Sequence, residues 1–290
     1  MAPDGQRDVE SHGMPDTSDE TVVHVYGAVP PERARAVAGL LAETYERIAP
    51  SPRLPLEVRL ADTRGRMAEL ATADKARHGV TTVGDEGFAC AHDAFEDRPR
   101  ITVCLEALEN AGGSPLPALR HEVGHACLHG RRAFYEVRMG AKLRRAAASH
   151  GLDEAALLQL LFFVSVGVKD WEVSRLLLRH GYLEDVQALA WELLAPSEED
   201  RMAWQISEGV PAFRLLWAAS QLKPLLHAAP LRALPGGAEV DARAAAMVDY
   251  LPAPARGALL GLAWCVADGL GDDTHANIRR ASAQLLAAGF

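Results

Sequence analysis

The segment His121-Glu122-Val123-Gly124-His125 sets two imidazoles four residues apart with a carboxylate between them. On a helix, residues four apart stand about 5–6 Å from each other at Cβ, so both rings can turn towards one divalent cation. The glutamate leans over the same ion, where it can accept a proton from water. The pattern therefore predicts Zn2+ as cofactor, His121 and His125 as ligands, and Glu122 as general base. The bland alternative is a helix with two surface histidines and an incidental glutamate.

A catalytic zinc takes three protein ligands and leaves one position open, so a third donor is needed. His129 lies two four-residue steps beyond His121, about 12 Å along a straight helix axis, which suits a helix cap or an outer partner better than a ligand. The stretch Val168 to Tyr182 (VKDWEVSRLLLRHGY) offers Asp170 and Glu172. The helical period puts Asp170 with Val166, Val173, Ser174 and Leu177, a face expected to be buried. Glu172 falls with Lys169, Arg175, Leu176 and Arg179, a wetter face. Asp170 is favoured, but Glu172 has the longer reach, and both stay as candidate ligands. Whichever does not ligate is explained equally well as an acidic first turn complementing a helix dipole.

These side chains need a helix to present them. Ser114-Pro115 is a natural helix start, a capping hydroxyl followed by a proline in the first turn. Nothing but Gly124 weakens the helix before His129-Gly130, where a histidine and a cap glycine form a stop. Gly124 costs such a helix up to about 1 kcal/mol against alanine, which makes sense if another segment or a substrate passes close by.

Upstream, Thr21 to Val29 reads as a strand, Pro31 to Ile48 as a helix, Pro55 to Leu60 as a second strand and Thr63 to His78 as a second helix. Gly87 to His92 and Arg100 to Leu105 read as a hairpin. In its second arm Ile101, Val103 and Leu105 share the buried face, leaving Thr102 and Cys104 on the other. Beyond His129 the pattern is helical, broken at Gly151, Gly181, Pro196, Pro211, Pro230, Pro235, Pro252 and Gly271. The five tryptophans all fall in this part and are expected in its core. The fold class is thus α+β: a small mixed sheet with an edge strand beside the motif helix, then a mostly helical C-terminal half. Residues 1–20 read as a disordered tail, 21–182 as the metal-binding domain and 183–290 as a helical region. An edge strand near the metal would let an extended peptide add as a further strand.

Composition narrows the partners. The 290 residues are 49% hydrophobic and 24% charged, with a formal charge of −9. That is ordinary for a globular chain and argues against nucleic acid. The four cysteines are widely spaced, without a C-x-x-C pair, so a disulfide framework or thiolate site is not expected. No signal peptide is seen in the polar first twenty residues, and the longest apolar run, Ala155 to Val168, is too short to span a bilayer. A cytoplasmic location, with no membrane contact, is the expectation.

The run His121-Glu122-Val123-Gly124-His125-Ala126-Cys127-Leu128-His129 resembles the corresponding segment of ImmA-like metallopeptidases. More broadly it is similar to gluzincins, whose third ligand is an acidic residue on a following helix. Asp170, Val173 and Ser174 stand where those families carry Glu-x-x-small-Asp/Asn, each position departing from the pattern. The likeness covers roughly residues 85–180. It implies a zinc-dependent peptidase acting on a peptide or protein, with Glu122 as general base. The alternative is a zinc-containing regulatory module that binds a protein partner through its helical C-terminal half. His180, Tyr182, Tyr135 and Glu136 are further candidates for stabilising an oxyanion.

Overall fold

The computed structural model describes residues 21–79, 89–110 and 114–290. The expected tail over residues 1–20, and Gly87 and Phe88 at the expected hairpin start, lie outside them. In chain order the elements are β1 (Thr21–Tyr26), α1 (Pro31–Ile48), β2 (Leu56–Ala61), α2 (Arg64–His78), β3 (Cys90–Asp93), β4 (Arg100–Cys104), α3 (Leu105–Asn110) and α4 (Leu116–His129). There follow α5 (Ala141–Ser149), α6 (Glu154–Arg179), α7 (Leu183–Leu193), α8 (Glu198–Ile206), α9 (Pro211–Ala228), α10 (Gly237–Met247), α11 (Ala253–Gly269) and α12 (Thr274–Ala288). Short 3-10 turns lie at Arg132–Tyr135 and Ala229–Ala233.

The strands form one mixed sheet of order β1-β2-β4-β3. β1, β2 and β4 run parallel, with Val23 opposite Val58 and Val58 opposite Ile101; β3 closes one edge antiparallel to β4. Period-two alternation sends Val58, Leu60, Ile101 and Val103 into one apolar cluster with Leu41 and Tyr45 of α1 and Leu119 and Val123 of α4. The opposite face is also covered. There α2 brings Met67 onto Ala61, Cys104 and Ala107, so Cys104 is buried, contrary to the half-buried strand expected. Its polar residues form an ion network: Arg59 contacts Glu57 at 2.6 Å and Asp74 at 2.7 Å, and Arg100 contacts Asp74 at 2.8 Å and Asp93 at 2.9 Å. Leu105 does not end the strand but opens α3.

β1 stops at Tyr26 rather than Val29. Gly27 turns at a positive φ of 86° and leaves the Ala28 N–H donating to Asp62 at 2.8 Å. The helical half is built on α6, a single helix of 26 residues. Asp170 and Glu172 are therefore not in a first turn; the helix starts at Glu154, capped by Asp153 accepting from Ala156 N–H at 2.8 Å. The dipole explanation for the spare carboxylate falls with that. Of the tryptophans, Trp171 and Trp217 are buried. Trp191, Trp204 and Trp264 are only partly so, each lying beneath an arginine, respectively Arg243, Arg214 and Arg232. The apolar core runs without interruption from the sheet through α6 and α9 to α12. Among the described residues no single helix is long and apolar enough to cross a membrane.

Candidate metal centre

Helix α4 starts at Leu116 with Pro115 at the cap, and Ser114 Oγ accepts from Leu116 N–H at 3.4 Å. It ends at Gly130, whose φ of −70° is not the left-handed cap expected. That position needs glycine for space, since a Cβ would lie 2.5 Å from the Ala126 carbonyl oxygen and 3.0 Å from Pro99. Gly124 is a contact glycine too. A Cβ there would come 2.5 Å from Val173 Cγ1, so its absence lets α4 and α6 close on each other. That approach delivers Asp170 to the two motif histidines.

His121 Nε2 and His125 Nε2 lie 3.1 Å apart. Asp170 Oδ1 lies 3.1 Å from His125 Nε2 and 3.4 Å from His121 Nε2. Ligands about 2.0–2.1 Å from a tetrahedral ion stand roughly 3.3–3.4 Å from one another, so these three atoms match the edges of one face of such a site. All three residues are largely buried. Burial pushes His125 down to about 3, keeping its ring neutral. Burial alone would raise Asp170, but its hydrogen bonds with His121 and His125 prevail and hold it well below the usual carboxylate range. A neutral imidazole and an ionised carboxylate are the protonation states that a metal requires.

Glu172 does not join this group. Its carboxylate lies 2.9 Å from His129 Nε2, and His129 Nδ1 lies 3.1 Å from His125 Nδ1. Nor is its face wet: Lys169 and Leu176 beside it are buried, and α12 covers Glu172. Burial pushes the Lys169 ammonium down to about 8. The third histidine thus packs behind the second, as its 12 Å span required.

Glu122 is half-buried, and burial pushes its carboxyl up to about 7. The backbone N–H of His92 donates to it. His92 lies on β3, the edge strand, and its ring stacks on His125 at 6.1 Å between centroids. The edge strand is therefore beside the motif helix as expected, although it has four residues and one of its N–H groups already serves Glu122.

The remaining candidates separate. Tyr135 joins the periphery of the site, its hydroxyl 2.7 Å from His92 Nδ1 and its ring 3.7 Å from Lys169 Nζ. Glu136 forms an exposed pair with Arg132. Tyr182 is packed between the guanidinium groups of Arg47 and Arg120, each 4.8 Å from its ring, and the His180 carbonyl accepts from Arg47. Among the described residues, neither makes a hydrogen bond, ion pair or ring contact with His121, His125 or Asp170.

One residue was missed. His227, in the last turn of α9, is fully buried, and a ring nitrogen lies within 4.8 Å of the donor atoms of His121 and Asp170. Its Nδ1 is 3.2 Å from Ser174 Oγ, and its Nε2 has no partner among the described residues. Burial pushes it down to about 3. A lone histidine in an otherwise apolar helix carries no spacing signal, so sequence could not have singled it out. The triangle His121, Asp170, His227 is bounded by separations of up to 4.8 Å, against 3.1–3.4 Å for His121, His125 and Asp170.

Comparison of the chain with protein-family models, with curated proteins and with solved structures finds no match.

Proposed function

We propose that the chain is a zinc-dependent metallopeptidase whose ion is held by His121, His125 and Asp170. The observation that carries this reading is the triangle of three electron-pair donors 3.1–3.4 Å apart in a buried setting. Such a group can share one cation between its members. A second support is His227, a buried histidine with one ring nitrogen within 4.8 Å of donor atoms of His121 and Asp170. Zinc bound there supplies Lewis-acid polarisation of a carbonyl and a water of lowered pKa. Glu122 accepts the proton of the attacking water and passes it to the departing amine. His92 holds the Glu122 carboxylate through its main-chain N–H, and β3 offers its remaining edge groups to an extended peptide. The four cysteines are free, in keeping with a cytoplasmic protein.

A second reading has one specific observation in its favour. If His227 closes the fourth position, the ion is structural and the chain is a regulatory or interaction module.

Elemental analysis beside hydrolysis of a fluorescence-quenched peptide mixture tests both. Wild type and Glu122→Gln are expected to hold one zinc, His125→Ala none, and Glu122→Gln to lose cleavage. Normal turnover by Glu122→Gln refutes the mechanism, and stoichiometric zinc in His125→Ala refutes the site. Zinc lost from His227→Phe, while its fold survives, favours the structural reading.

A further inference from the structure

Behind the donor triangle runs a chain of hydrogen bonds that the peptidase reading leaves unused. It begins at Glu172, which is gripped from α12 over a hundred residues away. Thr274 donates to Glu172 Oε2 at 2.8 Å, and Asn277 Nδ2 donates to Oε1 at 2.8 Å. Asn277 is itself fixed, bonding the Gly271 N–H and carbonyl at 2.8 and 2.9 Å. An ionised carboxylate can only accept. The imidazole nitrogen facing it, His129 Nε2 at 2.9 Å, must therefore carry a proton. In a neutral ring this leaves His129 Nδ1 bare. The next contact, 3.1 Å to His125 Nδ1, then has one possible direction: His125 donates and His129 accepts. A metal taken up at His125 Nε2 displaces the proton that this atom otherwise shares with Asp170, and the remaining ring proton then sits on Nδ1, as this direction requires.

We infer that Glu172, clamped by Thr274 and Asn277 of the C-terminal helix, is a positioning residue that fixes through His129 the tautomer in which His125 presents its Nε2 lone pair to the metal. The inference rests on the zinc-centre reading. It assigns the last helix a place in the metal centre and explains the third histidine of the His-x3-His-x3-His series. The first two rungs face Asp170, and the third faces the carboxylate two residues on. Outer carboxylates of this kind orient a ligand ring and raise its basicity.

The test is zinc affinity by chelator competition on the full chain, with ring 15N NMR of the zinc-loaded protein. Glu172→Met removes the acceptor at similar volume and is expected to weaken zinc about 10–100-fold. Glu172→Gln, which keeps a carbonyl oxygen, recovers part of that loss. Thr274→Val moves in the same direction by a smaller factor. Asp153→Ala removes the cap at the far end of α6 and serves as the stability control, with zinc binding within about twofold of wild type. In zinc-loaded wild type the NMR signals place the proton of His129 on Nε2 and that of His125 on Nδ1. Wild-type affinity in Glu172→Met, or equal weakening in Asp153→Ala, overturns the inference, as does a proton on His129 Nδ1. If wild type takes up no zinc, the metal centre itself fails; zinc uptake by wild type with unchanged affinity in Glu172→Met fails the positioning role alone.

Discussion

Gly124→Ala probes the contact that brings the two halves of the site together. On helix preference alone the change is stabilising by about 1 kcal/mol. Against that, the new Cβ would lie 2.5 Å from Val173 Cγ1, where carbon atoms normally rest about 3.5–4.0 Å apart. Val173 cannot swing clear, because its χ1 is confined in a helix and its Cβ and Cγ2 already lie 3.4 Å from the same point. The helices must therefore separate by roughly 1 Å, an overpacking that costs about 1–3 kcal/mol. The sum is a net loss of up to about 2 kcal/mol. Asp170 is one turn from Val173, so the same shift carries Oδ1 away from the histidines, and zinc binding is expected to weaken tenfold or more. Val173→Ala removes the obstructing methyls, at about 1.5–3 kcal/mol of lost burial. In that background Gly124→Ala should change sign and stabilise by up to about 1 kcal/mol. Urea unfolding of the metal-free proteins around this double-mutant cycle gives the answer. Stabilisation by Gly124→Ala in both backgrounds would refute the claim that close helix approach dictates this glycine.

Two further predictions concern the sheet. Arg100 is buried and holds both Asp74 and Asp93; Arg100→Met keeps its bulk but leaves Asp93 without its guanidinium and Asp74 with Arg59 alone. A loss of about 3–5 kcal/mol in unfolding free energy is expected, and a loss below about 1 kcal/mol would mean that the network relaxes around the gap. The Ala28 N–H beside Asp62 holds its carboxyl below the usual range. Because the folded value is the lower one, the contribution of Asp62 is complete above the ordinary carboxylate pKa and fades as pH falls through the folded value. Asp62→Asn should flatten the acid limb of the stability curve below about pH 4; identical slopes in the two proteins would exclude this role.

What could be read from the chain was whatever rests on short-range periodicity. The period of 3.6 chose Asp170 over Glu172 because Val166, Val173 and Leu177 share its face. The same period misjudged the face of Glu172: a run of charged residues says nothing of a helix that arrives a hundred residues later to cover it. Thr63 and the prolines marked helix starts because their effect is local, whereas the junction between the apolar run at Ala155 to Val168 and the following VKDWEV carried no breaker other than Gly167. The chain continues there as one helix, and Gly167 is tolerated because Lys223 of α9 passes within 3.2 Å of where its Cβ would be. Cys104 fell on the face expected to be less buried for a related reason, since nothing in β4 announces that α2 will close over it.

The two helix glycines and the two carboxylates point to one organising element. α6 meets α4 at Gly124, takes α9 along its own Gly167, and is held by α12 at Glu172. Each crossing bears on one part of the proposed centre: the distance from Asp170 to the motif histidines, the approach of His227, and the contact of His125 with His129. A site spread over four helices cannot be assembled by α4 and α6 alone, because the carboxylate behind His129 would be open to water without α12. The helical half is in this sense part of the proposed metal centre. Substitutions there should alter zinc affinity where they touch α6 at these three crossings, and stability alone where they do not.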